Sequence, residues 1–267
     1  MKTKTKAWIN LAVYLVTIGI NALGAMGLIN GLSQKQVSDR FDTLITPSPA
    51  TFSIWGVIYT LLLISLVYLI IRNKEPGAAK AIEAISLPFW ISSAANILWI
   101  VAFSFELIGV STLMIFAFVI ILALLNLKLK GTTGRERSLL ALSFGMYNGW
   151  LLIASVVNTA AFLVQIKWTG FGLTPDTWAV IILIVSIVLA AGIQIRLRSA
   201  VLTLPIAWAY FGIWQRNGAQ GVFAGQYPAI LATSLIGCVV LVIIAVLVFW
   251  LNGRSLLPSQ EGIEKGN

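Results

Sequence analysis

Continuous apolar runs of about 20 residues recur along almost all of the 267-residue chain, each long enough to cross a hydrocarbon layer of about 30 Å. In lipid only a helix or a closed barrel satisfies every backbone N–H and C=O, and runs that are continuously apolar rather than alternating read as helices. The spans are Ala7 to Ile29, Thr51 to Ile71, Ala84 to Phe103, Leu107 to Leu127, Ser138 to Leu163, Thr177 to Ile195, Ala200 to Gln215 and Ala229 to Leu251. The expected fold class is all-α, a polytopic membrane helical bundle of about eight transmembrane helices. The seventh run is short and contains Pro205, which predicts a kinked or partial crossing.

Charge is sparse, at 10% of residues, and its placement tests the number of spans without using hydropathy again. With eight spans, 14 of the 18 Lys and Arg fall on the N-terminal side, leaving only Lys35, Arg40, Lys167 and Arg216 on the other. The positive-inside rule then predicts that both termini are cytoplasmic in the cell membrane. The net charge of +9 therefore points to orientation, and nucleic acid is not an expected partner. The first run follows a basic start but continues past Ala22 to Ile29, so it is expected to be a retained helix rather than a cleaved signal.

The residues that are missing narrow the function. The chain has no His and a single Cys, Cys238, so internal disulfides, His-ligated metals and His-based catalysis are excluded. No Asp, Glu, Lys or Arg lies within the spans, since Glu83 and Glu106 fall at their edges. Proton pumps and ion-coupled carriers keep such groups at depth, where they do work that offsets their cost. The polar groups at depth are amides instead: Asn21, Asn96, Asn126, Asn148, Asn158 and Gln194. No phosphate-cradling loop is present, because Gly131 to Arg135 reads GTTGR.

Three helices each carry a stripe of aromatics with hydrogen-bonding groups. Phe52, Trp55 and Tyr59 fall within about 60° on the second, as do Asn96, Trp99 and Phe103 on the third. On the fifth, Tyr147, Trp150, Ala154 and Asn158 fall within about 80°. If the stripes converge, they line a flat-walled, mostly apolar site with a few polar fixtures. The competing explanation is interfacial anchoring or packing: Trp and Tyr gather at membrane interfaces and Asn can simply join helices. Trp8, Trp168, Trp178 and Trp250 lie at span ends and fit that explanation. Trp150 lies about 12 residues into its span, near the bilayer centre, where an anchor has no role. The polar stretch Asn30 to Ala50 would lie over the opening as a lid or as a plain connector, with Pro47 and Pro49 stiffening its return.

These stripes carry a family resemblance. Phe52-Ser-Ile-Trp55-Gly-Val-Ile-Tyr59 resembles the second-helix motif of the TspO/MBR family, the tryptophan-rich sensory or translocator proteins. Asn96-Ile-Leu-Trp99 followed by Phe103 is similar to its third-helix motif, and Tyr147, Trp150, Ala154 and Asn158 stand at the offsets of its fifth. The motifs cover about Ala7 to Leu163, and the last three helices have no counterpart in five-helix members. The resemblance implies residues 1–165 as a five-helix core, 166–252 as a three-helix membrane extension and 253–267 as a cytoplasmic tail.

The same resemblance implies a receptor or carrier for a flat hydrophobic ligand, a tetrapyrrole such as protoporphyrin, with no required cofactor. Its partners would be this small molecule, membrane lipids and, in a homodimer, a second copy of the chain. Trp55 and Trp150 match the pair implicated in porphyrin chemistry in bacterial members, so a porphyrin-degrading enzyme is one alternative. A permease for uncharged amphiphiles, using the helix of Pro205, is another. Three departures bear on the ligand more than on the fold: the first long loop has no Trp, Met146 replaces a Pro, and Ile100 replaces a Ser.

Overall fold

The computed structural model describes residues 1–258, and those residues are helical with no strand among them. Nine α-helices follow in order: α1 Thr3–Ala25, α2 Gln34–Arg40, α3 Ile54–Ile71, α4 Pro76–Ser104, α5 Ile108–Leu129, α6 Arg135–Gln165, α7 Pro175–Leu197, α8 Thr203–Asn217 and α9 Pro228–Leu251. All but α2 and α8 lie in stretches long and apolar enough to cross a membrane, seven in number among the described residues. The chain is a multi-pass membrane protein. Lys265 and the rest of the tail after residue 258 lie outside the described residues.

Local chemistry fixes several helix starts. Pro76, Pro175 and Pro228 open α4, α7 and α9, where the missing N–H is no loss and the fixed φ suits a first turn. A capping box closes the start of α2: the Ser33 hydroxyl accepts from the Gln36 backbone N–H, and the Gln36 side chain accepts from that of Ser33. The third span begins earlier than the sequence predicts, because helix formation does not stop where hydropathy falls. Glu83 therefore sits on α4 rather than before it, paired with Lys6 of α1. The stretch from 30 to 50 is likewise not a bare connector: α2 lies within it, and its Val37 is buried with Ile108 and Ala161.

Packing forms a ring and a second layer. α1 packs on α4, α4 on α5, α5 on α6, α6 on α3 and α3 back on α1, closing a five-helix ring. Outside it, α7 packs on α9 and α9 on α8, and α8 joins this layer to the ring through α6. In lipid, helices associate by close packing and interhelical hydrogen bonds rather than by expulsion of water. α1 uses both: its buried residues Asn10, Tyr14, Thr17, Asn21 and Gly24 form one stripe. Asn10 donates to Ser86 and accepts from the Trp90 indole, at 3.0 and 2.7 Å.

The seventh predicted span consists of two pieces, a non-helical stretch and the short helix α8, and is not among the stretches long enough to cross a membrane. After α7, residues 199–202 turn inward without helical structure and lie against Gly145 and Gly149 of α6. Non-helical backbone at depth is tolerated where protein covers it and its groups are bonded. Here Ser199 N–H donates to Gln194 Oε1 at 3.0 Å, and Gln194 Nε2 donates back to Ser199 O at 2.7 Å. The Ala200 N–H donates to Leu256 O, and Asn252 donates to Arg198 O. The 15 residues of α8 then run to the segment after α2, where Asn217 donates to Leu44 O at 3.1 Å.

Candidate functional site

Three ring helices bring the predicted aromatics together. α3 supplies Phe52 from the 3-10 turn at its start (Pro49–Ser53), then Trp55 and Tyr59 one and two turns on; α4 supplies Trp99, and α6 Tyr147 and Trp150. Trp55 is the hub. Its ring centroid lies 5.1 Å from Tyr59 in a stacked pair, 6.3 Å from Trp99, and 6.1 and 6.2 Å from Tyr147 and Trp150 in edge-to-face contacts. Phe52 meets Trp150 edge-on at 5.9 Å. Rings at these separations attract beyond the area they bury. Phe52 is 39% exposed while Trp150 is only 2% exposed, so the cluster runs from an accessible edge to a buried wall.

Hydrogen bonds under the cluster tie four helices. The Tyr59 hydroxyl donates to Asn21 Oδ1, Asn21 Nδ2 donates to Asn96 Oδ1 at 2.6 Å, and Asn96 Nδ2 donates to the Tyr147 hydroxyl at 2.8 Å. Behind Trp99, Asn158 accepts from the Trp99 indole N–H and the Ser111 hydroxyl, and donates to the Thr112 hydroxyl. Asn96 and Asn158 thus spend their polar atoms between helices. Trp150 differs: its buried indole N–H has no hydrogen-bond partner among the described residues.

Two predicted site residues fall elsewhere or at the margin. Phe103 turns into a separate small cluster with Val37, Ile108 and Ala161, because α2 covers that end of α4. Ala154 is partly buried against the main core. Three residues outside the predicted set join the cluster. Phe118 of α5 meets Tyr147 at 5.2 Å, Tyr14 of α1 meets Tyr59 at 6.5 Å, and Asn21 supplies the amide relay. The spacing of Tyr14, Thr17 and Asn21 on one face of the first span was the available signal.

The segment between α2 and α3 is held by the second layer. Ser48 N–H donates to Gly212 O at 3.0 Å, the Trp208 indole donates to Thr51 O at 2.8 Å, and Arg216 pairs with Asp42 at 2.5 Å. Thr51 packs so closely on Gly212 that a Cβ there would lie 2.0 Å from its hydroxyl. The approach to Phe52 and Trp55 is therefore fastened to α8. Among the described residues no group of His, Cys, Asp and Glu could hold a metal ion.

This fold and this cluster define a polytopic helical membrane protein with an aromatic, amide-braced centre in a five-helix ring. The sequence model of the TSPO-like protein family matches residues 7–247, and the chain belongs to that family. The match runs past Leu163, where the three motifs end, through α7 and α8 and into α9, so the outer helices fall within the family's extent. No curated protein and no solved structure matches the chain.

Proposed function

We propose that this TspO-class membrane protein is a receptor or carrier for a flat hydrophobic ligand, a tetrapyrrole such as protoporphyrin, taken up at the Trp55 cluster. The observation that carries the reading is the unpartnered indole N–H of Trp150 in a wall of rings centred on Trp55. A planar ligand entering past Phe52 would replace ring–ring contacts with stacking on Trp55 and Trp150. A carboxylate or carbonyl on it would accept the free N–H, ending an uncompensated desolvation that costs about 1–3 kcal/mol. The chain offers no axial His, so the macrocycle would be held by stacking and hydrogen bonds, and metal-free protoporphyrin should bind at least as well as haem.

The test is titration of protoporphyrin into the purified protein, read by porphyrin absorbance and tryptophan quenching, with Trp150→Leu as the variant. Leucine keeps apolar bulk but removes the indole face and its N–H. Affinity should fall by about 1–3 kcal/mol, the scale of stacking on an aromatic side chain, in a variant that still folds. Unaltered affinity in a well-folded variant would reject the site. Illumination of the complex with product analysis separates simple binding from porphyrin breakdown. The permease reading draws on the non-helical segment 199–202, and flux into proteoliposomes tests it.

A further inference from the structure

We propose that the seam between α6 and α7 is a second ligand site, separate from the Trp55 cluster, which takes an uncharged single-chain amphiphile from the bilayer. α7 packs mainly on α9, leaving its α6-facing side thinly filled. Two cavities open there, of about 480 Å³ near the face that carries Asp42 and about 270 Å³ deeper along the helices. Ala160, Leu163, Trp168, Trp178 and Ile182 line both, so they form one cleft.

The chemistry changes along that cleft. In the deeper part the hydroxyls are already spent: Ser155 donates to Leu152 O, Thr159 to Ser155 O and Ser186 to Leu183 O. What remains is apolar surface, and at its edge Phe116 and Leu189 are 44% and 51% exposed, so this end opens toward hydrocarbon. An alkyl or isoprenoid chain fits such a surface. At the other end Asp42 is the one ionised lining residue, and Arg216 neutralises it in an ion pair at 2.5 Å. A mouth without net charge favours an uncharged head.

The mouth also supplies donors. The Trp168 and Trp178 rings meet tilted, with centroids 4.8 Å apart, and the Trp178 indole N–H is used by Gly170 O. The Trp168 N–H and the Thr169 hydroxyl make no hydrogen bond among the described residues. A hydroxyl or ester head would accept from both, at the level where Asp42 and Arg216 mark the interface, while its chain runs inward along α6 and α7. The two interfacial tryptophans are thereby walls of a site, beyond their role as anchors.

The experiment uses the full-length protein in lipid nanodiscs with a monoacylglycerol that carries a photoreactive diazirine in its chain, and maps crosslinks by mass spectrometry. Saturable labelling should concentrate on Leu163, Ile182 and Leu189. Thr159→Phe and, at an exposed position that tolerates bulk, Leu189→Trp should each lower it on the order of tenfold by filling the deeper cavity. Trp168→Phe combined with Thr169→Val should weaken it several-fold by removing the donors. Labelling spread evenly over lipid-facing positions such as Ile120, Val188 and Val246, or unchanged in Leu189→Trp, would overturn the proposal. So would displacement of the probe by saturating protoporphyrin, whereas failure of protoporphyrin to bind at all would leave this site standing.

Discussion

At Gly149 the ring meets the second layer at backbone distance. A Cβ there would lie 1.9 Å from Leu202 O and 2.7 Å from Pro205 Cγ, and the first of these is main chain that cannot swing away. Small residues let helices approach in this way, and in lipid such close contact is a main source of association. Gly149→Val should therefore loosen α8 from α6 and cost about 1–3 kcal/mol, the range for overpacking, measured by unfolding in detergent micelles. Gly19 is the control, since a Cβ there meets nothing within 4 Å. Gly19→Ala should be neutral or stabilising by up to about 1 kcal/mol, through helix propensity alone. Legibility at this scale is uneven. The 0, 3, 7 and 11 offsets put Trp150 and Asn158 on one face correctly, but offsets name a face and not a neighbour. Offsets thus place Asn158 on the stripe without naming its hydrogen-bond partners, which are Trp99, Ser111 and Thr112.

Among the elements, α8 shows how a short apolar run is built into the bundle by an irregular entry. Its length and Pro205 mark it in sequence as irregular, yet the groups that make the irregularity tolerable come from Asn252 and Leu256, more than 50 residues on. No local pattern could announce them. Gln194 is the nearest support, clamping Ser199 through both its amide atoms while itself 5% exposed. Gln194→Leu would leave the fully buried Ser199 N–H and C=O without these partners, where each orphan costs about 1–3 kcal/mol. With Cys238 replaced by Ala and a cysteine placed at Val201, which is 2% exposed, maleimide labelling should be slow in the parent and markedly faster after Gln194→Leu. Equal labelling in both would mean that the clamp does not hold segment 199–202 in its buried position. Conversely, α2 lies in the stretch that reads from sequence as a polar loop, because seven residues are too few to show a hydrophobic period; its Ser33 and Gln36 capping box is the local signal that reading left unused.

For the whole molecule, hydropathy gives the order of the seven long apolar helices because lipid leaves the backbone so few options, but it misses α2 and overrates the run of α8, and the arrangement into a ring and an outer layer depends on contacts between distant segments. Charge adds what hydropathy cannot, the direction of insertion. With eight spans, the side bearing Lys35, Arg40, Lys167 and Arg216 would also hold Asp39, Asp42, Glu106 and Asp176 and carry no net charge, and the chain's +9 would fall on the N-terminal side. Three of those four cations are paired there, with Asp39, Glu106 and Asp42. An inserting chain retains its unpaired basic loops on the cytoplasmic side, so both termini should be cytoplasmic. The crossing made by 199–217 is the part of this topology most open to failure, since α8 alone is 15 residues long. Reporter fusions after Arg135 and at the C-terminus should both report the cytoplasm, and a fusion after Gly221 should report the opposite side. A cytoplasmic signal after Gly221 would make α8 a re-entrant segment, place the C-terminus outside and detach the Arg216–Asp42 pair from any shared face, contrary to the geometry that joins them.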